Sequence, residues 1–500
     1  MKLPACLLLS SCSLLLLSGQ PAAAASNDAS RVTSFVEARR AADRDVALAI
    51  WGRAEVGYKE VQSSELLQEQ LRAAGFEVKG GVAGIPTAFV ATAGSGKPVI
   101  GLLAEFDALP GFSQSAVPER SSIKGRSSGH ACGHHLFGAG STSAAIAVKQ
   151  WLEQTRTAGT IRLYGTPAEE GGAGKVYMAR AGLFGDVDVV LHWHPGDSND
   201  ASPNGSLANR SAKFRFQGQS SHAAGAPEQG RSALDGVEAM DYMVNMLREH
   251  VPQETRIHYV ITSGGSAPNV VPDFAEVFYY VRHPDPRVLE EVWGRVLKTA
   301  DAAALGTGTR VQYEVIHGAY SLLPNHTLAN VMDRELRAVG GVKYDAAEQG
   351  FAEKLQKTLI AQGKPLGSQE LIQPLRPRQE YGSTDVGDVS WLVPTVGLRT
   401  ATWVPGTPAH SWQAVAAGGM SIGLKGMEVA SKTLARAAVA LYRDPKVIRE
   451  ARAEFDTARG AGFAYAALLG DRDPPLDYRD PPGDPPGDPP SASGATSRPQ

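Results

Sequence analysis

The stretch Pro98–Leu103 (PVIGLL) is apolar at every position, and short runs rich in apolar residues recur at Thr160–Tyr164 (TIRLY) and Val187–Leu191 (VDVVL). Helical patterns lie between them, at Ala139–Leu152 and Gly174–Ala181. Short apolar strands that alternate with helices are typical of a mostly parallel sheet covered on both faces. We therefore predict an α/β fold in which a mixed, mostly parallel sheet is flanked by helices.

A second pattern occupies residues 206–320 and interrupts the first. A strand, a helix, two strands, a helix and a closing strand follow one another at Ala212–Phe216, Ser232–Glu249, Ile257–Thr262, Ala275–Val281, Arg287–Leu305 and Arg310–Ile316. The order β-α-β-β-α-β is that of a ferredoxin-like unit. We predict an inserted α+β domain that divides the larger domain into residues 27–205 and 321–466.

The N-terminus has the features of a secretory signal peptide over residues 1–25. Lys2 is followed by the apolar stretch Leu3–Leu17 and by the small residues Ala22–Ala25. A transmembrane anchor would need about 20 apolar residues, so we favour export to the periplasm or the exterior and predict no membrane span. Lipoprotein cleavage at Cys12 remains an alternative, because LSSC resembles a bacterial lipoprotein cleavage box.

The C-terminal residues 467–500 are rich in Asp-Pro-Pro repeats and then in Ser and Gly. Such a composition cannot form a packed core, so we predict a disordered tail without a catalytic role. The formal net charge of the whole chain is −3, and we find no basic run with interleaved aromatic residues. Nucleic acid is therefore not an expected partner.

Cys132 is the only cysteine that would remain after signal cleavage, since the others are Cys6 and Cys12. It lies in the segment Gly129–His135 (GHACGHH), just before a helix. A thiolate and an imidazole two positions apart can both turn toward one ion, and these ligands suit zinc and similar metals. Loop histidines near a helix start are the alternative interpretation.

The adjacent pair Glu169-Glu170 follows a predicted strand and precedes a Gly-rich turn. One carboxylate of such a pair can bind a metal while the other takes a proton from water beside it. His194, in the segment HWHP, and His410, in GTPAHSW, follow two further predicted strands. Each of these histidines alone is as compatible with a structural role as with a ligand.

Five segments in this order resemble the metallopeptidase and aminoacylase superfamily that includes carboxypeptidase G, hippurate hydrolase and indole-acetyl-amino-acid hydrolases, and most closely its p-aminobenzoyl-glutamate hydrolase branch. They are Ala104–Pro110 (AEFDALP), Ala131–His134 (ACGH), Pro167–Gly172 (PAEEGG), Gly265–Asp273 (GSAPNVVPD) and Gly382–Asp388 (GSTDVGD). The resemblance covers residues 35–440 and implies a metal-dependent amidohydrolase.

The resemblance also implies a site with two divalent ions, zinc or manganese. Its ligands would be Cys132, His134, Glu170, His194 and His410, with His194 preferred to His192 by the family's spacing. Other residues would have other roles: Glu169 as general base and acid, Asp107 as a carboxylate that orients a ligand, His222 as an oxyanion donor, and Asn269 and Arg282 as substrate-carboxylate ligands. Many relatives have Asp where this chain has His135, so the role of His135 stays open.

The function that the resemblance implies is hydrolysis of N-acyl or N-aroyl amino acids, with p-aminobenzoyl-glutamate-like amides favoured. In the family the inserted domain is a lid that also forms the dimer interface, so we expect a homodimer in which His222 can reach the partner's site. A dipeptidase or aminopeptidase of the same superfamily is one alternative. A metal- or ligand-binding homologue without catalysis is another, although binding alone does not require both Glu169 and Glu170.

Overall fold

The computed structural model describes residues 20–361 and 363–480. Residues 1–19, which contain most of the predicted signal peptide and the alternative lipoprotein site Cys12, lie outside the described residues, as do residues 481–500 of the predicted tail. Within the described ranges no helix combines the length and apolar character needed to cross a membrane.

The helices are α1 Gln20–Arg53, α2 Val61–Ala73, α3 His134–Thr155, α4 Gly174–Arg180, α5 Ala233–Leu247, α6 Pro286–Thr307, α7 His326–Val339, α8 Ala346–Gln356, α9 Val386–Ser390, α10 Trp412–Gly418, α11 Ser421–Arg443 and α12 Pro445–Arg459. The strands are β1 Glu77–Gly80, β2 Phe89–Ser95, β3 Val99–Ala104, β4 Leu109–Pro110, β5 Ser128–Gly129, β6 Gly159–Gly165, β7 Val189–Gly196, β8 Ala208–Gln217, β9 Arg256–Ser263, β10 Phe274–His283, β11 Arg310–Ala319 and β12 Thr395–Ala401.

The larger sheet has the strand order β1-β2-β6-β3-β7-β12. Neighbours from β6 to β12 are parallel, whereas β1, β2 and β6 pair antiparallel. Every residue of β3 is buried, because helices cover the sheet and leave no polar face on this strand. The prediction of a mixed, mostly parallel sheet flanked by helices is confirmed.

The inserted domain forms a separate sheet with the strand order β11-β8-β10-β9, antiparallel throughout. Its core contains Phe214, Phe216, Tyr279 and Trp293, all buried between the sheet and the two helices α5 and α6. Alternating residues such as Lys213 point to the opposite face, as period-two alternation requires. The predicted ferredoxin-like order is therefore present in the structure.

The prediction that the disordered tail begins at residue 467 is wrong for residues 467–480. Leu468 and Leu469 are 5% and 2% exposed and belong to the two cores. The compositional argument averaged this apolar piece with the Asp-Pro-Pro repeats that follow it. The chain thus remains packed on the molecule well beyond α12.

Gly387 in α9 provides a test of the packing between the two parts of the molecule. A Cβ atom there would overlap the carbonyl oxygen of Tyr320, which follows β11, the last strand of the inserted domain. We expect Gly387→Ala to lower the free energy of unfolding by at least about 2 kcal/mol. Gly350→Ala is the matched control, because a Cβ at this position in α8 meets nothing within 4 Å.

Gly350→Ala should raise the free energy of unfolding by about 0.5–1 kcal/mol, because alanine is more favourable than glycine in a helix interior. Urea unfolding followed by circular dichroism measures both variants. Equal stability of the two variants would show that α9 does not pack against Tyr320 as described.

Candidate metal centre and active site

The carboxyl ends of three adjacent parallel strands carry the residues of the candidate site. Glu105 and Asp107 follow β3, Glu169 and Glu170 follow β6, and His194 lies near the end of β7. Since β6, β3 and β7 are neighbours and parallel, these side chains meet at one edge of the sheet. This edge is where open α/β sheets usually bind their ligands.

The five predicted metal ligands come together in two groups that share one residue. Cys132, His134 and His194 form one group, and Cys132, Glu170 and His410 form the other; within each group the ligand atoms lie within 4.8 Å of one another. The Cys132 Sγ is 3.4 Å from the His194 Nε2, and the His410 Nε2 is 2.9 Å from a Glu170 carboxylate oxygen. The Cys132 sulfur thus lies at the junction of the groups.

His410 is held in an unusual backbone conformation, with φ 55°. Such a left-handed conformation costs a non-glycine residue about 1–2 kcal/mol and persists only where its surroundings enforce it. The His410 amide donates to the carbonyl of Ala131, one residue before Cys132. The strained residue is therefore tied directly to the loop that carries the thiol.

Asp107 orients two of the candidate ligands. One of its carboxylate oxygens lies 2.8 Å from the His134 Nδ1, and the other accepts from the Glu170 amide at 2.9 Å. The His134 Nε2 consequently points into the cluster, where it lies 3.0 Å from a Glu105 carboxylate oxygen, although neither atom makes a hydrogen bond. An imidazole held in this way, beside a thiol and a carboxylate, fits a divalent metal ion.

Glu169 lies in an electrostatic environment that favours the protonated form of its carboxyl. Burial, together with the nearby carboxylates of Glu105 and Glu170, raises the pKa of Glu169 well above its usual range. Its carboxylate belongs to a third cluster, with Glu105 and His134, rather than to the two groups that contain Cys132. Glu169 therefore lies beside the candidate ligands with a strong tendency to hold a proton.

Sequence reasoning missed a buried ion cluster behind this site. The Lys175 Nζ lies 2.6 Å from Glu105 and 2.7 Å from Asp385, and all three side chains are almost fully buried. Burial acts to lower the pKa of Lys175, but the two carboxylates outweigh it and raise the pKa. A lysine inside the otherwise apolar start of α4 was the signal that could have revealed the cluster.

His192 and His135 lie near the site but outside the two groups. His192 faces the same cavity as His194 and packs against Gly397, where any Cβ would overlap its ring; burial lowers its pKa to about 3. The His135 Nε2 lies 3.0 Å from the Gly418 carbonyl, and its ring packs against that of His130. The question left open for His135 thus has a structural answer: it joins α3 to α10.

The predicted residues of the inserted domain do not line the cavity of the same chain. His222 is exposed, and its Nδ1 accepts from the amides of Ala224 and Gly225. Asn269 is also exposed, and its carbonyl accepts from the amide of Ala223. Only Arg282 approaches the cavity, with its guanidinium 3.4 Å from the Ser383 hydroxyl.

A cavity of about 250 Å³ opens beside the candidate ligands. It extends from Cys132 and Glu169 along the polar residues Ser383 and Thr384 to β12. The cavity therefore adjoins the cluster of carboxylates, imidazoles and thiol.

The buried cluster generates a stability prediction. Lys175→Met should destabilise the protein by about 3–5 kcal/mol, because it leaves the Glu105 and Asp385 carboxylates buried without a cation. Lys446→Met removes an exposed Lys–Glu pair on α12 and should change stability by less than about 0.5 kcal/mol. Urea unfolding measures both variants.

The deficit of the Lys175 variant should depend on pH. Burial already raises the pKa of the Glu105 carboxyl, and loss of the lysine raises it further, so the cost is full at neutral pH and shrinks as acid protonates Glu105. A deficit that stays constant or grows on acidification would contradict the described ion cluster.

Comparisons with known proteins identify the family of this chain. The sequence profile of peptidase family M20/M25/M40 matches residues 101–372. The chain is 41% identical over 450 residues to a p-aminobenzoyl-glutamate hydrolase subunit of Escherichia coli (strain K12), covering 85% of this chain and 94% of that protein. It is 31% identical over 435 residues to the Xaa-Arg dipeptidase of Mus musculus, covering 83% and 89%.

Among solved structures, a dinuclear metal-binding peptidase of the M20 family from Bacillus subtilis superposes with a TM-score of 0.56 at 20% sequence identity, covering 81% of this chain and 99% of that one. This likeness supports the fold, while the sequence relatives support the family. The resemblance predicted from the five segments is confirmed. The chain belongs to peptidase family M20/M25/M40 and is a metal-dependent hydrolase of amide bonds.

Proposed function

We propose that this protein hydrolyses the amide bond of N-acyl or N-aroyl amino acids with two divalent ions, zinc or manganese, held by Cys132, His134, Glu170, His194 and His410. The observation that carries the proposal is the pair of ligand groups joined at Cys132, with Glu169 beside them. The Cys132 sulfur lies within 4.8 Å of the ligand atoms of both groups, so its thiolate would belong to the set of residues that hold the ions. Thiolate and imidazole favour zinc, whereas carboxylate also permits manganese.

In this proposal the bound ions supply Lewis acidity and lower the pKa of water. Glu169 accepts the proton of the attacking water and returns it to the nitrogen of the leaving amine. Its raised pKa suits both transfers, because the ionised carboxylate is then a stronger base than a free one and, once protonated, can return the proton. Asp107 keeps His134 and Glu170 in the orientation that binding requires.

The substrate class follows from the relatives and from the distribution of charge. The name of the Escherichia coli relative supports a p-aminobenzoyl-glutamate-like amide. Among the described residues that line the cavity, Arg399 is the only Lys or Arg, and Glu380 holds it in a two-pronged ion pair at 2.6 and 2.9 Å. We therefore assign recognition of the substrate carboxylate to Arg282 and Asn269 of the inserted domain.

A dipeptidase is the second candidate function. The mouse relative is named for cleavage of Xaa-Arg dipeptides, and the absence of an uncommitted Lys or Arg among the described cavity residues is compatible with a basic substrate side chain. This alternative differs from the first in requiring a free α-amino group.

We further propose that the protein is exported through residues 1–25 and acts as a homodimer joined through the inserted domain. Strand β9 is an edge of its sheet, and Val260 of β9, like Tyr242 and Met246 of α5, is exposed. Such edges readily pair with another chain. Dimerisation there would provide a route for His222 to reach the partner's site. Because the name of the Escherichia coli relative describes it as one subunit of a hydrolase, a related but different chain is the alternative partner.

The proposed activity is tested by a substrate panel combined with elemental analysis of the purified protein. We expect hydrolysis of p-aminobenzoyl-glutamate and other N-acyl amino acids, together with two equivalents of zinc or manganese. Preference for free dipeptides with basic C-terminal residues would replace the first candidate with the second. Bound metal without turnover on any amide would instead indicate the non-catalytic homologue.

Two isosteric variants separate the roles of the adjacent carboxylates. Glu169→Gln should retain the metal but lose at least about 100-fold in kcat, because a general base contributes that much. Glu170→Gln should lose metal, as measured by elemental analysis after dialysis. Normal turnover of the Glu169 variant would exclude it as the proton carrier.

A complementation experiment tests whether His222 acts across a dimer. Glu169→Gln and His222→Ala chains should each be nearly inactive alone, while their co-expression should restore activity. In a mixed dimer, the site with intact Glu169 receives the intact His222 of the other chain. If each His222 served its own chain, no mixed dimer would have a complete site, and co-expression would restore nothing.

A further inference from the structure

The loop Pro167–Gly172, which carries the two glutamates, is held by side chains from distant parts of the chain. Ala168 has a left-handed conformation with φ 58°, and its amide donates to a buried Glu60 oxygen at 2.8 Å. The Tyr58 hydroxyl donates to the Gly172 carbonyl at 2.6 Å, and the Glu170 amide donates to Asp107. A strained loop of this kind requires such external support.

The carbonyl of Glu170 is supported by the extreme C-terminal part of the described chain. The Tyr478 hydroxyl donates to it at 3.2 Å, and the Arg479 guanidinium also donates to it. The Asp107 carboxylate accepts from the Glu170 amide on the other side. Both polar main-chain groups of this residue are therefore bound by side chains.

Residues 466–480, which we call the C-terminal strap, reach this position along a defined path. Leu468 and Leu469 are buried, and Arg180 of α4 donates to the carbonyl of Gly470 at 2.7 Å. Arg472 donates to the carbonyls of Val315 and Ile316 at 2.6 and 2.8 Å, within β11 of the inserted domain. The strap is thus fixed to both domains before it reaches Glu170.

Neighbouring residues pack closely around the Tyr478 side chain and define its position. Gly57 lies so close that any Cβ atom there would overlap the Tyr478 hydroxyl. The ring of Tyr478 packs edge-on against Tyr58, with 5.6 Å between the centroids. Both neighbours precede α2, so the space for the strap is formed by the opposite end of the sequence.

From these contacts we propose that Tyr478 and Arg479 are positioning residues, which set the main chain of Glu170 and thereby increase metal affinity. The inference rests on the proposed role of Glu170 as a ligand. Neither residue is among those that line the cavity, and their hydrogen bonds reach the main-chain carbonyl of a residue whose side chain would bind the ion. Groups that orient metal ligands commonly contribute about 10–100-fold to metal affinity or activity.

The test uses the full-length protein with Tyr478→Phe and Arg479→Gln combined. Competition with a chromogenic chelator measures Zn²⁺ affinity, and steady-state kinetics on an N-acyl amino acid measures kcat and KM. We expect metal affinity to fall by about tenfold, kcat to fall and KM to stay unchanged. The melting temperature should change little, because the phenyl ring retains its packing against Tyr58.

Two further variants separate positioning from a general structural effect. Arg479→Lys keeps a cationic donor and should recover part of the affinity in the presence of Tyr478. Asp480→Asn is the matched control on the same strap. It removes only the half-exposed ion pair between Asp480 and Lys59, so Zn²⁺ affinity and kcat should not change.

Unchanged Zn²⁺ affinity and kcat in the double variant would overturn the inference. A chain ending at Pro475 provides a second measurement, because it lacks both residues but keeps Leu468, Leu469 and Arg472; wild-type affinity in that chain would also overturn it. Failure of the proposed centre is distinguishable, since Glu170→Gln would then retain metal. If Glu170→Gln loses metal while the double variant does not, only the role of the strap is refuted.

Discussion

The two hydrogen bonds of Asp107 are the constraint on which the centre depends. One of them reaches the His134 ring and the other the Glu170 amide, so a single buried carboxylate joins the start of α3 to the loop after β6. Asp107 can reach both because it follows β3, which is the parallel neighbour of β6. Burial alone would raise the pKa of Asp107, but the His134 ring and these hydrogen bonds lower it to about 2. The carboxylate is thus kept ionised at a position where desolvation opposes charge.

Much of the fold was predictable because its signals are local. The apolar run at β3 and the period-two alternation in β8 predict a buried and a half-exposed strand, and the structure has both. The five candidate ligands could be proposed from the sequence because it resembles a family in which segments such as ACGH and PAEEGG specify a residue type at a fixed place in a loop. Their convergence depends on β6, β3 and β7 being neighbours in the sheet, which the structure shows. The alternation of strands and helices implies parallel strands but does not give their order.

The features that were missed depend on long-range contacts without a local pattern. Lys175 and Asp385 are far apart in sequence, and their ion pair with Glu105 forms only when α4 and α9 pack behind β3. The beginning of the tail was misjudged for a related reason. The short apolar piece around Leu468 has no periodicity of its own and becomes ordered only by filling space between the two domains. Compositional reasoning cannot detect a partner surface that the rest of the chain creates.

The electrostatics of the centre explain why so many ionisable groups can share one buried place. Burial opposes ionisation of Glu105, Glu169 and the Cys132 thiol and raises all three pKa values. The positive charge of Lys175 compensates the Glu105 carboxylate. By contrast, no described lysine or arginine forms an ion pair with the Glu170 carboxylate, which pairs only with His410. Divalent cations there would favour the ionised forms of the thiol and the carboxylate, so binding and proton release are coupled. The lysine is therefore suited to a structural role, while the open face of the cluster is left for ions and substrate.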